Sequence, residues 1–120
     1  MRAATVSAAV GLAMAAAGLL AAPALSSAFW GATVINVAYN DVLNARRWPS
    51  PSSRVVGVYN NGDHVSLTGK CRSVSGGWSV NLDDAPSWPV RRAWVKKHWC
   101  EVYHDTGGIG WVRGKFVKLD

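Results

Sequence analysis

Residues 3–28 are almost all small and apolar, and this block leaves about 90 residues from which a folded domain can be built. A single cation, Arg2, precedes the block, and small residues near its end offer cleavage points after Ala24 or Ala28. This order of charged start, apolar centre and small-residue end predicts a signal peptide over residues 1–28. The domain then occupies residues 29–120, and we expect a secreted or periplasmic protein.

An uncleaved membrane anchor is the alternative, because about 20 apolar residues can span a bilayer. The block is rich in Ala and Gly, Pro23 interrupts it, and no Lys or Arg follows it before Arg46. These features favour cleavage, so we expect no stable membrane span in the exported domain.

The two cysteines matter because a domain of about 90 residues gains only marginal stability from burial. In an exported chain they predict a Cys71–Cys100 disulfide. In the chain-entropy model this bridge closes a loop of about 30 residues and stabilises the fold by about 3–4 kcal/mol. The alternative is two free thiols in a reducing compartment, which the leader disfavours.

Short β-branched or alternating runs recur along the domain, separated by Gly, Asn and Pro. The tetrapeptide at 60–63, Asn-Asn-Gly-Asp, predicts a hairpin turn, and the turn-rich residues 40–54 predict a long ordered loop. No long amphipathic helix is evident after the leader. The pattern predicts an all-β fold, a small barrel or sandwich, with strands near 33–39, 55–59, 64–68, 98–104, 109–112 and 116–119.

Two parts of the domain resemble the bacterial SH3-like domain family. Residues 43–46 read Leu-Asn-Ala-Arg, and a Val-Val-Gly strand at 55–57 and a Gly-Asp-His-Val turn at 62–65 follow in the family's order. Residues 110–112 read Gly-Trp-Val, and Phe-Val at 116–117 closes the chain in a similar way. The resemblance implies a small SH3-like barrel.

The spacing of Cys71 and the Trp-Cys-Glu-Val run at 99–102 is similar to an exported subgroup of that family, in which two such cysteines face each other. The stretch between the cysteines is longer here than in that subgroup. We call residues 72–97 the insertion and expect an enlarged loop or an added hairpin. Its basic segment, residues 91–97, fits a strand or a single helical turn. Its three tryptophans form either a second small core or an exposed surface.

The resemblance also implies an aromatic groove between the long loop after the first strand and the last turn of the chain. In this sequence the groove would draw on Tyr39, Trp48, Trp111 and Phe116, with Arg46 as a basic neighbour. Aromatic faces beside guanidinium groups suit extended peptides, sugar rings and anionic polymers. Bacterial members of the family are associated with cell-wall peptides.

Nothing in the residue pattern predicts catalysis. Both cysteines are expected to be bridged, and His64, His98 and His104 lack a compact metal-ligand spacing, so we expect no metal and no cofactor. The sequence therefore predicts an exported, non-enzymatic binding module for cell-wall peptide or another envelope component. A protein-interaction or regulatory module acting through the Trp-rich insertion is the main alternative, and a hydrolase with a scattered site is a third.

The formal net charge of the chain is +6, which favours anionic partners. Nucleic acid binding would also suit basic and aromatic residues, but an exported protein rarely meets nucleic acid. Anionic polymers of the cell envelope are the simpler partner. The oligomeric state is left open.

Overall fold

The computed structural model describes residues 29–75, 77–104 and 108–120. Short segments in which buried and exposed residues alternate form an antiparallel β-sheet. The predicted signal peptide lies outside the described residues. Within them the chain forms eight strands, one α-helix and two 3-10 segments, Leu82–Asp84 and Gly114–Phe116. The strands are β1 (Trp30–Val34), β2 (Leu43–Arg46), β3 (Val55–Tyr59), β4 (His64–Ser73), β5 (Ser79–Asn81), β6 (His98–Tyr103), β7 (Ile109–Arg113) and β8 (Val117–Leu119), and the helix is α1 (Trp88–Lys97).

The main sheet has the strand order β3-β2-β7-β6-β4-β1-β8, and β5 pairs with the second half of β4. All of these pairs are antiparallel, and β3 and β8 end the path. The predicted all-β class is confirmed in this form, as a predominantly β domain that carries one helix.

One face of the sheet forms the core. In β4 every second residue is buried, from Val65 to Ser73, as the period of two in a strand requires. Gly69 has a φ of 107°, a backbone conformation that suits glycine, and the β4–β6 register shifts between Leu67 and Cys71. The first half of β4, before Gly69, pairs with β1, and its second half pairs with β5.

The turn at 60–63 forms, but the hairpin predicted from it is wrong. The Asp63 N–H donates to the Asn60 carbonyl at 3.0 Å, and Gly62 has a φ of 88°. However, β3 pairs with β2, while β4 pairs with β1, β5 and β6. The turn instead bonds to the end of β1, where Val34 donates to the Asp63 carbonyl and accepts from the Gly62 N–H, both at 2.8 Å.

Several strand boundaries differ from the prediction, and β4 continues to Ser73, beyond the predicted 64–68. The first strand ends at Val34 and does not reach residue 39, and Asn36 has a φ of 60°. The predicted loop at 40–54 contains β2, in which Leu43 and Ala45 are buried and alternate with half-buried Asn44 and Arg46. The turn-forming residues on both sides concealed this short strand.

The insertion contains the expected added hairpin, since residues 70–72 of β4 pair with β5. Of the strand and the single helical turn considered for 91–97, the helical alternative is observed, and the ten-residue α1 is longer than one turn, so the expectation that no helix of useful length follows the leader is wrong. Ser87 caps the helix by accepting the Val90 N–H at 3.4 Å, and Lys96 and Lys97 lie in its last turn, where cations are favourable.

The predicted disulfide is confirmed. Cys71 and Cys100 lie directly opposite each other on β4 and β6, their Cα atoms are 4.1 Å apart, and both are fully buried. The bridge therefore joins the two strands where the insertion departs and returns. No helix among the described residues is long and apolar enough to cross a bilayer.

Candidate functional site

A groove of about 190 Å³ lies where the chain between β1 and β2 faces β6, β7 and the 3-10 segment Gly114–Phe116. Its apolar lining comes mainly from the β1–β2 connection and the start of β2, at Val37, Ala38, Val42 and Leu43. Polar, charged and aromatic side chains complete it: Asp41, Asn44, Arg46, Trp99, Arg113 and Phe116. We call this the loop groove.

Trp99 and Arg113 form one wall of the loop groove because they are register partners on β6 and β7. The guanidinium carbon of Arg113 lies 5.5 Å from the centroid of the Trp99 ring. Trp99 is only 3% exposed, which fixes the position of its ring. A cation over an indole face is attractive, so the pairing orients the Arg113 guanidinium at the groove.

Arg46 enters the groove from β2, opposite Trp111 on β7. Its Nη1 donates to the Ser53 carbonyl at 2.9 Å, and this bond holds the long side chain in one orientation. The remaining guanidinium donors can bond a ligand, because one carbonyl satisfies only part of the arginine fork. Two of the groove's side chains, Arg46 and Arg113, are therefore guanidinium groups held by protein contacts.

Asp41 supplies a negative charge to the same groove. Its carboxylate accepts the Val42 N–H at 2.7 Å, and its own N–H donates to the Ala38 carbonyl at 3.0 Å. These bonds fix the carboxylate in a tight turn of the β1–β2 connection. The groove thus offers separate places for an anionic and a cationic group of one ligand.

Of the five residues predicted for the groove, Arg46 and Phe116 line it. Phe116 is half-buried, with the Lys115 ammonium 5.1 Å from its ring. Tyr39 is fully exposed, and Trp48 is 62% exposed with the Arg47 guanidinium carbon 5.6 Å from its ring. Trp111 is 6% exposed and lies within the protein.

Sequence reasoning did not place Asp41, Trp99 or Arg113 in the site. The face on which Trp99 lies could have been inferred from the sequence. Neighbouring side chains on a strand point to opposite faces, so Trp99 lies on the face opposite to Cys100. Arg113 has no such local signal, since its contact with Trp99 depends on the β6–β7 register.

The three tryptophans of the insertion divide between the two expected arrangements. Trp94 packs against the core, whereas Trp78 is 57% and Trp88 is 44% exposed. Trp78 meets the His98 ring edge-to-face at 5.2 Å, and Trp88 meets Trp30 in the same way at 5.8 Å. The insertion therefore contributes to the core and also presents aromatic surface.

Histidine and carboxylate groups form no metal-binding cluster in residues 29–75, 77–104 and 108–120. His64 lies beside Thr33, with 3.4 Å between its Nδ1 and the threonine hydroxyl. His98 is buried at the end of α1, where its Nδ1 bonds to the Trp94 carbonyl.

Comparison with models of known protein families gives no match, and a search of curated proteins gives none either.

Proposed function

We propose that this chain is an exported, non-catalytic binding module that recognises the carboxylate-bearing end of a cell-wall peptide in the loop groove. The observation that carries the proposal is that Arg46, Arg113 and Asp41 line one groove, in which Arg113 lies over the Trp99 ring. The motif order described above supports the same assignment, with the sheet curled into an SH3-like barrel. The proposal includes no chemical step, cofactor or metal.

Cell-wall peptides are short and carry free carboxylates, and some carry an amino group on a side chain. Guanidinium groups bind carboxylates through charge-assisted hydrogen bonds that are shorter and stronger than neutral ones. Asp41 would receive an ammonium group, and the apolar part of the lining would contact small aliphatic side chains. The groove therefore matches the mixed charge of such a peptide better than it matches a uniform polyanion.

Export is supported by the leader and by the bridge between Cys71 and Cys100, because disulfides persist mainly in oxidising compartments. A secreted or periplasmic location brings the groove to the material that it is proposed to bind.

Calorimetry with a soluble wall-derived peptide tests the proposal. Arg113→Gln should weaken binding at least about tenfold, because one charge-assisted hydrogen bond is lost. Arg72→Gln is the matched control. Arg72 is exposed on β4 and does not line the groove, so this variant loses the same charge outside it.

Amidation of the peptide carboxylate gives a second arm. If the guanidinium binds that carboxylate, amidation and Arg113→Gln should remove the same interaction, and their combined effect should be smaller than their sum. Equal losses for Arg72→Gln and Arg113→Gln, or tight binding of the amidated peptide, would contradict the proposal.

A second function, protein recognition through the insertion, is favoured by the exposure of Trp78 and Trp88. Large exposed indoles are common anchors in protein interfaces. Trp78→Ala would then leave peptide binding in the loop groove unchanged and remove capture of a protein partner.

A further inference from the structure

A second groove, of about 350 Å³, lies between α1 and the edge strand β8. Its floor is apolar: Pro89 and Ala93 come from the helix, Val117 and Leu119 from β8, and Ile35 from the segment after β1. We call it the helix groove. It shares none of its lining residues with the loop groove.

The helix groove is bordered by three cations, Arg92 and Lys96 of α1 and Lys118 of β8. All three side chains are exposed. Within the described parts of the chain, no carboxylate lies within 4.0 Å of their nitrogen atoms. An anion seated in the groove would therefore meet positive charge from both of its walls.

The spacing of the two helical cations has a cost for the free protein. Arg92 and Lys96 are four residues apart, so they are neighbours on one helix face, and like charges at this spacing destabilise a helix. A ligand that carries negative charge offsets this repulsion.

The helix also presents an aromatic ring beside this cationic rim. Trp88 lies one turn before Arg92, is 44% exposed, and has the Arg92 guanidinium carbon 5.5 Å from its ring. Indoles and basic residues on an exposed helix face, next to an apolar groove, are typical of helices that lie at a membrane surface. A soluble polyanion would use the cations and leave the apolar floor without a role.

We propose that the helix groove binds an anionic phospholipid at a bilayer surface, with a segment of acyl chain on the apolar floor and the phosphate beside Arg92, Lys96 and Lys118. The other side of α1 is fixed to the domain, because Val95 is buried in the core. The groove is therefore held in place, and this surface docks without rearrangement of the sheet. The inference does not depend on peptide binding in the loop groove.

Vesicle co-sedimentation tests the inference. The wild-type protein and all variants are purified from cells, and intact-mass measurement confirms that their N-termini are identical. Vesicles contain equal parts of phosphatidylglycerol and phosphatidylcholine, or phosphatidylcholine alone. The double variant Arg92→Gln/Lys96→Gln should bind anionic vesicles about 30-fold more weakly, equivalent to about 1 kcal/mol for each cation at an anionic surface. The control Lys70→Gln/Arg72→Gln removes the same charge from exposed positions on β4 and should change binding little.

The apolar floor has its own test. Ala93→Gln introduces a polar amide at a half-buried position without a change in charge, and should weaken vesicle binding about fourfold, the equivalent of one buried methylene group. Thermal unfolding of each variant confirms that the fold is kept.

Any of four results would overturn the inference. Equal losses in the two double variants would show attraction by net charge alone. Unchanged binding for Ala93→Gln, or full displacement by glycerol phosphate, would indicate a soluble phosphate ligand. Binding of phosphatidylcholine vesicles as tight as that of anionic vesicles would show that the cations do not recognise lipid charge. Each result leaves the peptide-binding proposal untouched, since that is measured without vesicles.

Discussion

The sheet and the insertion are stabilised in different ways. The sheet distributes its stability over seven hydrogen-bonded strands and a shared core, and its two tryptophans on β6 and β7 are buried. The insertion meets the sheet at a few places: the short β5, the side chains of Leu82, Trp94 and Val95 at the core, and the Arg91 guanidinium over the Trp30 ring of β1. Concentrated attachment implies that single substitutions at these places have large effects, whereas the sheet tolerates the loss of any one contact better.

The largest expected effect follows removal of the bridge at the base of the insertion. Cys71→Ala/Cys100→Ala should lower the free energy of unfolding by about 3–4 kcal/mol, because the unfolded chain regains the freedom of a loop of about 30 residues. Urea unfolding followed by tryptophan fluorescence measures the change. Oxidised and reduced wild-type protein provide the control, since reduction should give a loss of similar size.

A loss below about 1 kcal/mol would show that the native sheet places Cys71 and Cys100 together without help from the bridge. The hydrogen bonds between β4 and β6 alone would then hold the base of the insertion in place. The contrast between the sheet and the insertion would disappear.

The next effect concerns the close approach of Val95 in α1 to Gly114 in the 3-10 segment Gly114–Phe116. A Cβ atom added at Gly114 would lie 1.6 Å from the Val95 carbonyl oxygen and 2.7 Å from that of His98. Gly114→Ala should therefore displace the end of α1 and cost about 3 kcal/mol, the upper range for overpacking.

Gly57→Ala is the matched control on β3, where the added Cβ would meet its nearest neighbour, the Ala45 Cβ, at an ordinary 3.9 Å. Its stability should change by less than about 0.5 kcal/mol. Equal stabilities for the two alanine variants, measured by thermal unfolding, would mean that α1 moves away from Gly114 at little cost.

The same contrast explains what could be predicted from the sequence. β3 was predicted with its observed bounds, and the alternation in β4 and the paired cysteines were also readable, because these signals are local. Strand pairing was not readable: the turn at 60–63 is present and predicted that β3 pairs with β4, but β3 pairs with β2. Strand pairing depends on which faces share the core, and a turn sequence does not contain that information.

The helix was missed for a related reason. Ser87 and Pro89 are ordinary signals for a helix start, but Val90, Trp94 and Val95 in the following segment are equally typical of strands. Burial of Val95 against the core and the space left by Gly114 decide between the two. In the loop groove, Arg46 and Phe116 came from the motif resemblance, while Arg113 required the register of β6 and β7.

The smallest of the three stability effects separates two adjacent arginines. The Arg91 Nε and Nη2 donate to the carbonyls of Leu82 and Ala85 at 2.9 and 3.3 Å, and its guanidinium carbon lies 4.6 Å from the Trp30 ring and 4.9 Å from the Trp88 ring. Arg91→Ala should cost about 1.5 kcal/mol, because these charge-assisted bonds and ring contacts are lost together. Arg92→Ala removes the same charge from an exposed side chain that contacts only the Trp88 face among these rings, and should cost less than about 0.5 kcal/mol.

Hydrogen exchange locates the effect: in Arg91→Ala the amides of α1 should exchange faster while those of β6 and β7 keep their rates. Uniformly faster exchange in both regions would show that the insertion and the sheet unfold as one unit, and the distinction between them would be wrong.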